Sequence, residues 1–341
     1  MDPGARLADA PSPSMTLLPD GSVDRRFGVL NREQDPVTRD QFAAWLTGGQ
    51  RSFVTDRRGV EPGGQSVNAA MQARALDADV ELYGHLDHDV FGVLDVDRYS
   101  MGAPAAVNIY EFEDAAMMLT TESTDIQTWS YADFAAAGGE RALDADAVVW
   151  LNWASLPNST AALHRIADEP REGDVFTIDP GGVGVRTAAE RREFVDALSA
   201  LADRYEVSLS VNDEELQSLA RALDVTGPVS EATHDLRERA GVAAVVMHGE
   251  QRAVAATSEG VYDVPNFQAA DVRRFTGGGD RFTSALAFAR ACGWVWRDAL
   301  ELANAAASYY VATGLTGDRA AIAEYAWDAA DAASAAHSPN D

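Results

Sequence analysis

The sequence predicts an α/β protein, a doubly wound, mainly parallel sheet with helices on both faces. Three observations carry that expectation. From residue 147 onward, short apolar runs alternate with amphipathic stretches of helical period, as in repeated strand, crossover helix, strand units. A glycine-rich turn at 275–282, FTGGGDRF, opens directly into the apolar helical run FTSALAFARACGW. Hydrophobic residues make up 46% of the 341, enough for one large α/β core or two small ones.

Residues 1–14 are polar and rich in Pro and Ser, and read as a loose lead-in. An apolar strand at 15–18 then delivers PDGSVDRRF, a turn of the kind that faces the ligand crevice at a strand's carboxyl end. Residues 25–60 are polar and broken by turns. The stretch 61–92, EPGGQSVNAAMQARALDADVELYGHLDHDVFG, reads as a glycine pair, a helix, a strand and a second turn. Gly63 and Gly64 let backbone approach a ligand closely, and Asn68, one turn into the helix, carries an amide that both donates and accepts. His85, Asp87, His88 and Asp89 resemble a metal cluster, but side chains alternate at a strand end and these do not converge on one point.

Residues 107–112 and 116–120 flank a Glu113-Asp114 turn and read as a hairpin. Strands follow at 147–152, 175–179, 207–211 and 244–247, with helices at about 157–168, 187–203, 213–223 and 230–240. The run IDPGGVG at 178–184 has only part of a dinucleotide fingerprint and carries Pro180 in its turn. In VSLSVNDEE, Asn212 leaves the strand and Glu215 follows one helical turn later. That spacing suits a capping box, and equally a pair facing one crevice. Two last helices, about 280–291 and 297–312, close the core. The Ala/Asp-rich end frays, with a tail at 331–341.

The turn at 277–280 has the makings of an anion site. Gly277, Gly278 and Gly279 let backbone N–H groups converge, and the helix that they open adds the positive end of its dipole. A phosphate fits there. Asp280, in the first turn, could take the proton of an attacking hydroxyl, which together suits phosphoryl transfer. Composition narrows the alternatives. The 27 basic residues are all arginine, so no Walker-type P-loop, Schiff-base or pyridoxal phosphate mechanism can be built. The single cysteine, Cys292, excludes an internal disulfide. A net charge of −27 repels nucleic acid and anionic membranes and points to a protein made for concentrated salt, as in a salt-accumulating halophile. With no apolar run of membrane-spanning length and no signal peptide at its start, the expected location is the cytoplasm.

RFTGGGDRF resembles the carboxyl-terminal signature of the PfkB/ribokinase family of carbohydrate kinases, D-T-x-G-A-G-D-x-F. It keeps G-x-G-D-x-F, with Arg274 and Phe275 in place of Asp and Thr. Residues 61–92 are similar to the amino-terminal signature: Gly63, Gly64, Asn68, Gly84, Asp89, Phe91 and Gly92 match, and Asp87 replaces a glycine. The resemblance covers about residues 16–318. It implies a ribokinase-like kinase domain at 15–330, with a small β lid from about 25–60 and 98–122, that phosphorylates a sugar hydroxyl with ATP. Asp280 would be the base and the amides of Gly277, Gly278 and Gly279 the anion hole. Asp24, Gly63, Gly64 and Asn68 would hold the sugar. Asn212 and Glu215 would hold Mg²⁺, mostly through water, and Gly249, Asn212 and Asn304 would border the nucleotide. In several relatives the Asp replaced by Arg274 helps to bind a monovalent cation, and a guanidinium could stand in for that ion. The lid could also pair two subunits. A nucleoside kinase, an ADP-dependent sugar kinase or a non-catalytic sugar-binding regulator on the same scaffold remain open, as does the sugar.

Overall fold

The computed structural model describes residues 3–169, 174–267, 272–274 and 276–328. In chain order its strands are β1 (Ser14–Leu18), β2 (Ser22–Leu30), β3 (Val54–Gly63), β4 (Asp79–Gly84), β5 (Asp97–Ser100), β6 (Ala105–Glu111), β7 (Ala116–Thr121), β8 (Ala147–Leu151), β9 (Val175–Asp179), β10 (Glu206–Val211), β11 (Ala244–His248), β12 (Arg252–Thr257) and β13 (Gly260–Pro265). The large sheet runs β13-β12-β11-β10-β9-β8-β1-β4-β5. Neighbours from β11 to β5 are parallel, while β12 and β13 add an antiparallel edge. All of β8 and β9 is buried, because helices cover both faces, and such strands read as unbroken apolar runs.

One face carries helices Gln65–Ala75, Gly278–Ala291 and Trp296–Thr313; the other carries Ser159–Ala167, Ala188–Leu201, Asp213–Ala222 and Val229–Ala240. Helix Gly278–Ala291 lies deepest, with every residue from Asp280 to Ala289 buried, as its all-round apolar sequence requires. Its few hydroxyls are paired inside: Ser284 donates to Ala69 O at 2.7 Å, and Thr283 and Ser210 share a bond of 2.8 Å. The chain runs from β1 outward to β4 and β5, then returns to β8 on the other side of β1. The crevice therefore opens at the carboxyl ends of β1 and β8, where the strand order reverses.

A second sheet, β3-β2-β6-β7, stands apart with its own small core of Val29, Val37 and Phe112. The segments expected in a lid supply these strands, with different limits. Tyr99 and Ser100 belong to β5 of the large sheet, and the second sheet starts at Ser22 and extends to Gly63. Helix Arg39–Thr47 crosses the polar stretch, opened by a capping box of Thr38 and Gln41. Strands β12 and β13 were not anticipated: a tight two-residue turn splits a stretch of weak apolar contrast.

Residues 3–14 are not a loose lead-in. Pro3–Ala8 is helical, Leu7 is fully buried in the core, and Arg6 pairs with Asp298 and stacks 4.5 Å from the Trp294 ring. Arg319 donates to the carbonyls of Leu7, Ala10 and Pro11. One large apolar side chain among alanines and polar residues gives no clear periodicity, so only long-range packing reveals the docking. Phe275 and the tail at 331–341 lie outside the described residues. Leu7→Ala is expected to destabilise the fold by about 2–5 kcal/mol, the usual range for truncating a buried leucine. Denaturant unfolding in molar KCl reads this directly, and an unshifted midpoint would mean that the segment is indeed loose.

Candidate active site

The site is assembled from strand ends. Asp20, just beyond β1, accepts hydrogen bonds from the first amides of helix Gln65–Ala75, Gln65 N at 3.0 Å and Ser66 N at 2.7 Å, and from Asn152 Nδ2 at 3.0 Å beyond β8. A carboxylate is favourable at a helix N-terminus, and here it sets where the helix begins. Gln65 and Asn68, three residues apart, then share one helical face. Both reach Asp280: Gln65 Nε2 donates to Oδ1 at 3.2 Å and Asn68 Nδ2 to Oδ2 at 2.8 Å. Each carboxylate oxygen is held by one amide and keeps lone-pair capacity for a hydroxyl.

Asp280 lies in the first turn of helix Gly278–Ala291, whose N-cap is Gly277 at φ +85°, a left-handed conformation that suits glycine. The opening N–H groups of that helix have no partner within it and face a cleft of about 2220 Å³. Burial, followed by the nearby Asp179, raises the Asp280 carboxyl to about 7, while Arg281 and Asn68 pull it back. Asp179, the last residue of β9, is pushed up chiefly by burial although Gly181 N and Thr283 Oγ1 donate to it at 3.0 and 3.2 Å. Glu215 is pushed up by burial and then by Asp179. His248 at the end of β11 is held down to about 4 by burial, its Nε2 unpaired and 3.9 Å from Asp179 Oδ2. A carboxylate near neutrality, unpaired amides and an open cleft can deprotonate an alcohol and receive an anion.

The other sequence-derived candidates fall around this centre. Asp24 on β2 lines the cleft, accepts from the Ser22 hydroxyl and is raised by burial to about 6. A Cβ on Gly63 would lie 2.2 Å from the Asp24 carboxylate, so only glycine permits that approach. Gly64 is the N-cap of the helix that bears Asn68. Asn212 and Glu215 form the capping box: Glu215 N donates to Asn212 Oδ1 at 3.0 Å and Asn212 N to Glu215 Oε2 at 2.9 Å, which uses the asparagine oxygen locally. Gly249 lines the cleft, and a Cβ there would meet Asp213 at 2.8 Å. Asn304 also lines the cleft, but it is 1% exposed and its Nδ2 donates to the carbonyls of Val264 and Pro265, so its amide fastens β13 to the helix. Arg274 Nη1 lies 3.6 Å from Glu61 and 3.7 Å from Glu111 of the second sheet, so it pairs with those acids instead of standing in for an ion. His85 turns inward, its Nδ1 2.9 Å from Pro19 O, while His88 accepts from Val90 N.

Sequence reasoning missed Asp20, Gln65, Asn152, Asp179 and His248. Asp20 and Asp179 each close an apolar strand and could have been found by that position alone. Gln65 and Asn152 gave no signal, since both act through a contact formed only in the fold.

This fold and this site define a carbohydrate kinase of the PfkB/ribokinase type, an enzyme that transfers a phosphoryl group to a sugar hydroxyl. Over residues 50–327 the chain matches the family described as prokaryotic ketohexokinase, and it belongs to that family. A ketohexokinase of Haloferax volcanii is 28% identical over 285 residues, covering 79% of this chain and 72% of that protein. Among solved structures, a probable sugar kinase of Rhizobium etli superposes with a TM-score of 0.68 at 18% identity, covering 93% of this chain and 98% of that one. A nucleoside kinase of Burkholderia thailandensis, in complex with inosine, gives 0.67 at 20% identity, covering 92% and 99%. These two share the fold. The haloarchaeal relative accords with the acidic, lysine-free composition.

Asp280→Asn is expected to lower turnover by about three orders of magnitude, the scale of a positioned base together with its charge. In the wild type, kcat/KM should rise through pH about 7, where Asp280 loses its proton, instead of levelling off near pH 4 as an ordinary carboxylate would. The sign for stability is opposite. A carboxyl whose folded value exceeds its unfolded one favours the native state when protonated, so wild-type stability declines as pH climbs from the ordinary value toward 7. The asparagine variant should lack that part of the slope in thermal melts at constant ionic strength.

Proposed function

We propose that the chain transfers the terminal phosphoryl group of ATP to a hydroxyl of a ketohexose, with Asp280 as general base. The observation that carries this reading is the Asp280 carboxylate fastened between Gln65 and Asn68 beside the unpaired amides of Gly278, Gly279 and Asp280. The proton of the sugar hydroxyl passes to Asp280. The freed oxygen forms a bond to the γ-phosphorus, and the bond from that phosphorus to the leaving ADP oxygen breaks. The amides receive the charge that develops on the phosphoryl oxygens. Asp24, Gly63, Gly64 and Asn68 border the sugar, and Gly249 leaves room along the nucleotide.

The donor chemistry near Glu215 fits a magnesium ion that keeps its waters. Glu215 and Asp179 are carboxylates that burial raises first, with Asp179 raising Glu215 further and Asp20 raising Asp179, and a divalent cation held near them would offset that cost. Asn212, committed to its cap, would act there only through water or through the helix start that it fixes. The ion supplies charge neutralisation of the nucleotide. The second sheet is proposed to serve as the lid over the sugar, within a single kinase domain at 15–330. The setting proposed is a salt-rich cytoplasm, with neither nucleic acid nor membrane as partner, since a charge of −27 disfavours both. Across a panel of ketohexoses, aldoses and nucleosides in molar KCl, ATP consumption should be fastest with a ketohexose and should stop when magnesium is chelated. A nucleoside preference would overturn this reading.

The lid also supports pairing of two subunits. Edge strand β7, AMMLTT, carries no charge and exposes Met118 and Leu119, more than half accessible, beside unpaired backbone groups. The wild type should run as a dimer by light scattering in molar KCl and Met118→Glu as a monomer. A monomeric wild type removes the pairing without touching the catalytic proposal.

A further inference from the structure

Arg281 follows the base directly and carries a buried charge. The residue is 2% exposed. Nη1 donates to Gly277 O at 3.1 Å, Nη2 reaches Thr316 Oγ1 at 3.4 Å, and the group lies 3.8 Å from the centre of the Tyr310 ring. Its Nε is buried without a partner. The neighbouring ion pairs engage Arg26, Arg58 and Arg274 with Glu61 and Glu111, and among the described residues no ion pair includes Arg281. Burial is the first cause pulling its pKa below that of a free guanidinium, Tyr310 and Asp280 oppose it and Arg274 adds to it, but an arginine keeps its proton in a protein. A buried cation with no carboxylate in contact is costly unless something else compensates it. The adjacent Asp280 carboxylate, which does not touch the guanidinium, offsets part of that cost through space, and an anion bound at the neighbouring turn would offset more.

The contact with Gly277 O says how. That carbonyl and the Gly278 N–H belong to one planar trans peptide, so the two groups point in opposite directions. A guanidinium on the oxygen side polarises the unit and strengthens the N–H on the other side as a donor, the cooperative effect of hydrogen bonds in series. We infer that Arg281 is the built-in cation of the anion site: it fixes the Gly277–Gly278 peptide from its carbonyl side and adds a permanent positive charge to the amides that receive the transferring phosphoryl group. It is a positioning residue, acting through the peptide. The role rests on the phosphoryl site proposed above and makes a dissociable monovalent cation at the turn unnecessary.

The test compares wild type with Arg281→Ala and Arg281→Lys in concentrated salt, with two readouts. The first is ATP binding by calorimetry without sugar; the second is kcat and KM for whichever sugar the wild type turns over. Wild-type rates should be equal in KCl and NaCl of the same strength. Arg281→Ala should bind ATP more weakly and lose on the order of 10–100-fold in kcat, somewhat less than removal of a direct anion-hole donor, with the sugar KM little changed. Added guanidinium ion should restore part of that rate and urea, of the same shape without charge, none; Arg281→Lys should retain more than the alanine variant. Unchanged ATP binding and kcat in Arg281→Ala, equal rescue by urea, or a strong wild-type preference for potassium would each overturn the inference. Should Arg281→Ala melt below the assay temperature, Arg281→Met, which keeps the bulk against Tyr310, carries the same comparison. If the wild type phosphorylates no sugar, the functional proposal falls, while ATP binding still judges Arg281.

Discussion

Two amide groups on one carboxylate hold this structure together functionally. Gln65 and Asn68 grip the two oxygens of Asp280, joining helix Gln65–Ala75 to helix Gly278–Ala291 across more than 200 residues of chain. The grip works only because Asp20 sets the first turn of the earlier helix and Gly277 the first turn of the later one. A shift of either helix by one residue would turn the amides away, since neighbouring positions on a helix face different directions.

The same arrangement gathers negative charge where solvent is scarce. Asp20, Asp24, Asp179, Glu215 and Asp280 all border one cleft, and burial raises four of them. A fold that maximised stability would not place them together. Burial and mutual repulsion there raise the cost of their charges, a cost that the proposed cation and sugar hydroxyl would relieve.

Arginine is the counterweight throughout. With no lysine, every fixed cation is a planar fork able to meet two acceptors at once. Arg26 uses this on the second sheet, bridging Glu61 and Glu111, and Arg274 extends the same group of charges to the segment entering the glycine turn. The second sheet and the glycine turn are thereby linked by charges at the edge of the cleft. Pairs so shielded are screened by salt less than those on the surface, which suits a protein whose exterior is acidic.

The alternation of apolar strands with amphipathic helices, the glycine turn ahead of Asp280 and the Gly63, Gly64, Asn68 constellation were all legible in the sequence, because each is a short-range pattern of period, turn chemistry or spacing. Residues whose work depends on contacts across the chain were not. Asn212 with Glu215 shows the limit: one spacing serves a capping box and a metal pair, and only the observed amide contacts reveal that the box is formed. Leu7, Gln65 and Arg281 are invisible for the same reason, since docking, a shared carboxylate and a peptide polarised from behind come into being when distant segments meet. The sequence by itself determined the class of fold and where the proposed base stands in the chain. The tertiary structure decided which amides hold that base, which acids crowd it and which arginine lies nearest the anion turn, because these are distances between elements that no local pattern encodes.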